Sequence, residues 1–238
     1  MKVLAVDTST KLGAVGFLDS DSGSFAEVNI SIGQTHSQRL LGAIDYVLGV
    51  VQCPLSNVEV LGVSIGPGSF TGLRIGISVM QGLALAERKG LIAFSSLQAL
   101  ALNYAGCPWL VCPMIDARRS EVFAGLYRFN QGMLTEELSE RAIRTEEIVR
   151  SASTEKTVFL GDGVDVYADR IASVMQAEFT IAEPPLRYPR GANMAKLAAQ
   201  KALNEEPKDP AQIEPAYLRK SNAELTREAR ESDIEGSK

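Results

Sequence analysis

The amino-acid sequence predicts an α/β fold of two domains, each with a mixed β-sheet flanked by helices. A hairpin-rich start that ends in an aspartate and a turn occurs twice, beginning at Lys2 and again at Trp109, and helices and strands alternate after each. Gly106-Cys107-Pro108 is the strongest break between the two halves. The expected division is a first domain at residues 1–105, a second at 106–218, and a charged tail at 219–238.

In the first half, alternation with a period of two predicts strands, and helical spacing of apolar residues predicts helices. Thr35 and Gln38 fit a capping box that begins the first helix, and Pro54 closes it. The expected strands are Lys2–Ser9, Lys11–Asp19, Ser24–Ser31, Val58–Ile65 and Leu91–Phe94. The expected second and third helices are Leu73–Glu87 and Ser96–Tyr104.

The second half repeats this organisation with little sequence identity to the first. Its expected strands are Trp109–Asp116, Glu121–Phe129, one that starts at Gly132, and Thr157–Leu160. Its expected helices are Thr145–Ser151, Val164–Met175 and Gly191–Leu203. The tail after Lys220 is polar and charged, which favours a frayed terminus over a helix that docks on a partner at Ala223–Ile234.

Composition and charge limit the classes of function. The chain has 238 residues and a formal net charge of −5, which argues against a large nonspecific surface for nucleic acid. It has no secretory hydrophobic region and no apolar run of about 18 residues, so we expect no membrane association. Its three cysteines show no CxxC spacing, which is typical of reduced thiols in the cytoplasm.

The segment SIGPGSFTGLRIG, Ser64–Gly76, lies between a predicted strand and a predicted helix. A glycine-rich loop that opens a helix can bind an anion, but this loop lacks the Lys-Ser or Lys-Thr that completes a phosphate-binding P-loop. We therefore interpret it as a turn that directs a glycine-bearing helix at a neighbour. Gly72 and Gly76 share one helix face, and the neighbour is either the first helix or a second chain.

The chain offers few catalytic groups. His36 is the only histidine, and one histidine does not make a conventional zinc or iron site without several thiols or carboxylates beside it. No GxSxG nucleophile elbow occurs, which makes a hydrolytic triad a poor interpretation. We therefore predict no catalytic residues, no metal and, for His36, a structural or interface role.

Four strings carry a resemblance to a known family. The opening LAVDTST, the THSQRLL of Thr35–Leu41, the GPGSFTGLRIG loop and the PAYLR near the C-terminus resemble the TsaB (YeaZ) family as far as about Lys220. The resemblance implies two ribonuclease-H-like domains of the actin-like ATPase superfamily. It also implies a noncatalytic partner that TsaD requires to form threonylcarbamoyladenosine beside the anticodon of tRNAs reading codons that start with adenine.

The resemblance further implies where partners and metals bind. Helices one and two of the first domain would bind TsaD and a second copy of the chain. The candidate interface residues are His36, Leu40, Ile44, Val47, Gly72, Gly76, Met80 and Leu83. The two metal-binding histidines of TsaD, four residues apart on a helix, fall here at Ser96 and Leu100, and leucine cannot ligate a metal.

The superfamily also implies vestigial nucleotide loops. The candidates are Asp7, Thr8 and Ser9 in the first half, and Asp116, Arg118, Gly161, Asp162 and Gly163 in the second. An alternative function follows from them, an ATP-binding phosphotransferase or ATPase that uses Asp7 and Asp116. The leading prediction has no cofactor except ATP or ADP at an interface with TsaD. Its partners are TsaD, the ATPase TsaE and a second copy of the chain, with tRNA contacted only through the complex.

Overall fold

The computed structural model of the protein describes residues 1–31 and 36–219. The predicted cap at Thr35, the side chain of His36 and the tail from Lys220 lie outside the described residues. The predicted α/β fold is confirmed: the described chain forms two five-stranded sheets with helices packed against them.

The first sheet has the order β3-β2-β1-β4-β5. β1 pairs antiparallel with β2 and parallel with β4; β2–β3 is antiparallel and β4–β5 is parallel. Its strands are β1 (Lys2–Asp7), β2 (Leu12–Asp19), β3 (Phe25–Ser31), β4 (Val60–Gly66) and β5 (Leu91–Ser95). The helices of this half are α1 (His36–Val50), α2 (Phe70–Ala86) and α3 (Ser96–Ala101).

The second sheet repeats the same pattern, with the order β8-β7-β6-β9-β10. β6–β7 and β7–β8 are antiparallel, and β6–β9 and β9–β10 are parallel. Its strands are β6 (Leu110–Arg118), β7 (Glu121–Asn130), β8 (Met133–Arg144), β9 (Thr157–Leu160) and β10 (Phe179–Ile181). The helices are α4 (Thr145–Ala152), α5 (Gly163–Val174) and α6 (Gly191–Ala202).

The differences from the predicted elements are local. α2 begins at Phe70 rather than Leu73, because the Ser69 hydroxyl accepts a hydrogen bond from the Gly72 N–H and caps the helix. The strand β10 was not predicted, since three residues are too few to show a period. Short 3₁₀ turns occur at Leu55–Asn57, Leu102–Tyr104, Pro184–Leu186 and Pro210–Gln212.

The third helix of each half reaches the sheet of the other half. α6 follows the second sheet, yet its buried Met194 and Ala198 pack with Val3 and Ala5 of β1. α3 follows the first sheet, and its Leu97 joins a cluster on the second sheet. The chain from α6 onward, which the sequence analysis grouped with the second domain, therefore builds the core of the first sheet.

Among the described residues, no helix is long and apolar enough to cross a membrane.

Candidate functional site

The turn between β1 and β2 is buried, although its residues are polar. Asp7 is 1% exposed, and its Oδ1 accepts hydrogen bonds from the Ser9 N–H at 2.8 Å and the Ser9 hydroxyl at 2.7 Å. Its Oδ2 is buried with no hydrogen-bond partner in the described part of the chain. Burial raises the pKa of Asp7, and the bonds from Ser9 act in the opposite direction.

The glycine-rich loop packs directly on this turn. The Thr8 hydroxyl donates to the Gly72 carbonyl at 2.8 Å, and the Ser69 N–H donates to the Ser9 carbonyl at 2.7 Å. A Cβ on Gly72 would lie 2.1 Å from the Thr8 carbonyl oxygen, and one on Gly76 would lie 2.2 Å from the Thr8 hydroxyl. The element that packs against Gly72 and Gly76 is therefore the chain's own β1–β2 turn, rather than α1 or a second chain.

In the corresponding turn of the second half, between β6 and β7, the aspartate side chain is hydrogen-bonded to other residues of the chain. Asp116 Oδ1 accepts hydrogen bonds from the Arg118 N–H at 2.9 Å and from the Tyr167 hydroxyl at 3.3 Å. Arg118, Arg119 and Ser120 take left-handed backbone conformations, with φ of 66°, 57° and 63°. The Arg118 guanidinium lies 3.5 Å from Asp116 Oδ2 in an ion pair, although the Arg118 side chain is 80% exposed.

The predicted third loop, Gly161–Gly163, closes on β6. Gly161 has a φ of +99°, and a Cβ there would lie 2.2 Å from the Met114 carbonyl oxygen. Asp162 Oδ1 accepts a hydrogen bond from the Asp116 N–H at 3.0 Å, and burial raises the pKa of Asp162. The structure thus brings Asp116, Asp162 and the two glycines together, and gives each a structural contact.

These contacts decide whether the turns fit a magnesium-bound nucleotide. Magnesium binds ionised carboxylates that water or substrate can reach. The Asp7 carboxyl is buried, its pKa is raised, and the backbone of α2 fills the space beside its turn. The Asp7 turn in this arrangement therefore does not fit its part in the predicted ATPase site.

An exposed groove lies on the outer face of α2, where a partner can reach it. Phe70, Arg74 and Ser78 are spaced four residues apart and point outward together. The groove has a volume of about 370 Å³ and is lined by Phe70, Thr71, Arg74, Ile75, Ser78 and Val79. On α1, Leu41 is 45%, Tyr46 is 64% and Val50 is 58% exposed.

The PAYLR segment, Pro215–Arg219, joins this groove. The Tyr217 ring stacks on Phe70 with a centroid distance of 5.0 Å, and its hydroxyl accepts a hydrogen bond from Arg74 Nε at 3.0 Å. The Arg74 guanidinium carbon lies 3.9 Å from the Phe70 ring centroid. Two of the strings that carried the family resemblance therefore form one surface cluster.

The same segment continues to the second sheet. Arg219 Nη1 donates to the Ala117 carbonyl at 3.1 Å and to Glu121 Oε2 at 2.9 Å. The Ala216 N–H donates to the Ile65 carbonyl at 2.8 Å. The segment forms a strap between the start of α2 and the β6–β7 turn, which local sequence patterns could not predict.

Comparison with known proteins identifies the family. The sequence model of the TsaD family, described as tRNA N6-adenosine threonylcarbamoyltransferase, matches residues 30–227. A Haemophilus influenzae protein named tRNA threonylcarbamoyladenosine biosynthesis protein TsaB is 30% identical over 92% of this chain and 94% of its own length. The chain belongs to the TsaB family. The Bacillus subtilis TsaB is 29% identical over 94% of this chain and 96% of its own.

Solved TsaB-family structures agree with this assignment. The structure titled YeaZ from Pseudomonas aeruginosa superposes with a TM-score of 0.78 at 31% identity. It covers 91% of this chain and 99% of its own. The resemblance stated from four strings is confirmed over nearly the whole length.

The family-based interface residues are mostly internal in this TsaB-family chain. Leu40, Ile44, Val47 and Met80 are buried in the core between α1, α2 and the first sheet, and Leu83 is half-buried against that core. Gly72 and Gly76 face Thr8. The sequence analysis chose the apolar stripe of each helix, which faces the sheet, whereas the exposed stripe begins at Phe70 and Arg74.

The positions that correspond to the TsaD histidines are also internal. Ser96 and Leu100 are both 0% exposed, and the Ser96 hydroxyl lies 2.6 Å from the Ser64 hydroxyl in a hydrogen bond. In the described ranges, no group of three or more histidine, cysteine or acidic residues is arranged to hold a metal ion.

Proposed function

We propose that this TsaB-family chain is a noncatalytic subunit that binds TsaD through the exposed faces of α1 and α2. TsaD requires it to form threonylcarbamoyladenosine beside the anticodon. The observation that carries the proposal is the exposed cluster of Phe70, Arg74 and Tyr217 beside a groove on α2. Aromatic and arginine side chains are the residues most often responsible for affinity at protein interfaces.

Small residues on the same faces support close approach by a partner helix. Gly42 and Gly49 lie seven residues apart on the exposed side of α1, and Gly82 is exposed on α2. A Cβ added to any of the three would meet no atom within 4 Å. The opposite sides of both helices are buried in the core, which fixes the position of this face. A preformed surface of this kind binds with little cost for ordering.

The remaining predictions form part of the same proposal. TsaE and tRNA join through the complex with TsaD, and any ATP or ADP is held at that joint interface. The buried carboxyl of Asp7 supports a role without a nucleotide of its own. The three cysteines of the chain are free thiols, which supports a cytoplasmic location.

Complex formation with a TsaD homologue tests the proposal. The full chain is mixed with TsaD, and the affinity is measured by analytical ultracentrifugation for the natural sequence and two variants. Ser78→Arg places a long cation in the groove on α2, and Ser173→Arg makes the same change on exposed α5. We expect Ser78→Arg to weaken binding at least about tenfold and Ser173→Arg to leave it unchanged. No complex with the natural chain, or equal effects of both variants, would contradict the proposal.

A further inference from the structure

A groove lies between α6, which packs on the first sheet, and the start of β8 in the second sheet. It has a volume of about 380 Å³, a size typical of clefts that bind a ligand. The buried side chains of Leu197 and Tyr127 line its inner wall. The Tyr127 hydroxyl donates to Glu140 Oε1 at 2.6 Å, which fixes the ring, so the groove is formed before anything binds.

The two most exposed large apolar side chains of the described residues line this groove. Leu203, directly after α6, is 73% exposed, and Met133, the first residue of β8, is 71% exposed. They come from the two elements between which the groove lies. Exposed apolar side chains gathered at one concave place are typical of a surface that a partner covers.

Three polar side chains of the groove have no partner within the chain. The Glu136 carboxylate makes no ion pair or hydrogen bond with any residue that the structure describes. The side-chain amides of Gln98 and Gln200 make no hydrogen bond with the described residues either. The other two charges of the lining compensate each other, since Lys201 Nζ lies 2.7 Å from Glu205 Oε1. The groove therefore combines apolar surface with one uncompensated negative charge and two free amides.

We propose that this groove binds an extended segment of a partner protein, in which an apolar side chain lies next to a lysine or an arginine. The apolar side chain contacts Met133 and Leu203, and the cation pairs with Glu136. A partner without a cation at this place would cover Glu136 and leave its charge uncompensated, which costs binding free energy.

The extended conformation of the segment follows from the two free amides. An extended segment has backbone N–H and carbonyl groups that are available to Gln98 and Gln200. In a helix, most of these groups are already bonded to each other. The amides therefore bind the backbone of the segment, while its side chains carry the preference for apolar and basic residues.

This site does not rest on the proposed function. α2, which carries Phe70 and Arg74, contributes no residue to the lining of the groove. A chain that failed to bind TsaD would contradict the proposed function and leave the groove as it is. A groove that bound no segment would leave the contact with TsaD unaffected.

A random peptide library displayed on phage provides the probe. It is selected against the immobilised full-length chain, after depletion on the Leu203→Ser chain, which removes peptides that bind elsewhere. A urea titration checks that Leu203→Ser is folded. We expect the enriched sequences to place Leu, Ile, Phe or Met beside Lys or Arg. A selection that enriches no peptide, or peptides without this pairing, would overturn the proposal.

The most enriched peptide is then labelled, and its dissociation constant for the full-length chain is measured by fluorescence anisotropy. Glu136→Lys reverses the charge in the groove, and Asp169→Lys makes the same change on exposed α5. We expect Glu136→Lys to weaken binding at least about tenfold and Asp169→Lys to leave it unchanged. Leu203→Ser should weaken binding at least about tenfold, whereas Leu85→Ser, at a leucine that is 62% exposed on α2, should not.

A charge exchange tests the contact with Glu136 directly. The same peptide with Glu in place of its basic residue should bind the Glu136→Lys chain more tightly than the natural chain. Equal effects of Glu136→Lys and Asp169→Lys would mean that only net charge matters, and would overturn the proposal. A peptide affinity that falls as the concentration of the chain rises would assign the groove to a second copy of the chain, and would overturn it as well.

Discussion

Thr8 and Gly72 contact each other through both backbone and side chain. The Thr8 hydroxyl donates to the Gly72 carbonyl at 2.8 Å, and the Thr8 carbonyl oxygen lies 2.1 Å from the place of a Cβ on Gly72. The loop that looks like a phosphate site in the sequence therefore fixes α2 onto the β1–β2 turn. The outer face of α2, which holds Phe70 and Arg74, is positioned by this contact.

Substitution of Gly72 tests this contact. Gly72→Ala should lower the free energy of unfolding by about 1–3 kcal/mol, because the added methyl group meets backbone that cannot move without disturbing the turn. Gly82→Ala is the matched control in the same helix, where a Cβ meets nothing within 4 Å. The control should gain up to about 1 kcal/mol from higher helix propensity. Similar urea midpoints for the two variants would show that the contact is loose.

Asp7 should make stability depend on pH. Its pKa is raised in the folded chain, so the protonated carboxyl contributes stability that is complete below the pKa of the unfolded chain. That contribution is lost as the pH rises through the pKa of the folded chain. Asp7→Asn cannot ionise, and its amide retains an oxygen that accepts from Ser9. The free energy of unfolding of Asp7→Asn, relative to the natural chain, should therefore rise as the pH increases above the ordinary pKa of an aspartate.

Urea titrations at several pH values measure this difference. A relative stability of Asp7→Asn that falls as the pH rises would mean that the folded chain favours the ionised carboxylate. That outcome would restore Asp7 as a candidate ligand for a cation.

Most of the fold could be predicted from the sequence, since its signals are local. Thr157–Leu160 was predicted with the bounds that the structure gives, because β-branched and aromatic residues stand between turn signals. Local signals could not predict that α3 packs on the second sheet and α6 on the first. An apolar helix face shows that it will be buried, but it does not show which sheet buries it.

The candidate site was predicted less well. The strings around Phe70 and Tyr217 were both singled out, but their contact joins residues far apart in the sequence. The interface residues chosen on α1 and α2 were the apolar stripe, and that stripe fills the core. Phe70, Arg74 and Ser78 are spaced four residues apart, and this spacing was the signal in the sequence that could have predicted the outer face of α2.

The ion pair between Arg219 of the strap and Glu121 of the second sheet should make a small contribution to the free energy of unfolding. Arg219 and Glu121 are 23% and 35% exposed, so solvent weakens their ion pair. A double-mutant cycle of Arg219→Ala and Glu121→Gln should give a coupling of about 0.2–1 kcal/mol in the free energy of unfolding. Arg118→Ala, at an arginine that is 80% exposed, should change stability by less than about 0.5 kcal/mol. A coupling of zero would contradict a stabilising ion pair between Arg219 and Glu121.

A measurement of nucleotide binding distinguishes the noncatalytic subunit from the ATPase, the two functions that the sequence left open. The isolated chain should show no ATP binding at micromolar concentrations by calorimetry in the presence of magnesium, because the Asp7 carboxyl is buried and its turn is filled by α2. Micromolar binding that Asp7→Asn abolishes would support the ATPase alternative.

Threonylcarbamoyl transfer to tRNA tests the central claim most directly. The reaction is assayed with TsaD, TsaE and the threonylcarbamoyl adenylate, without this chain and with the natural chain, Asp7→Asn or Ser78→Arg. We predict that product formation requires the chain, persists with Asp7→Asn, and falls at least about tenfold with Ser78→Arg when the chain is not in excess. Transfer that proceeds equally well without the chain, or that is lost with Asp7→Asn and kept with Ser78→Arg, would contradict the account.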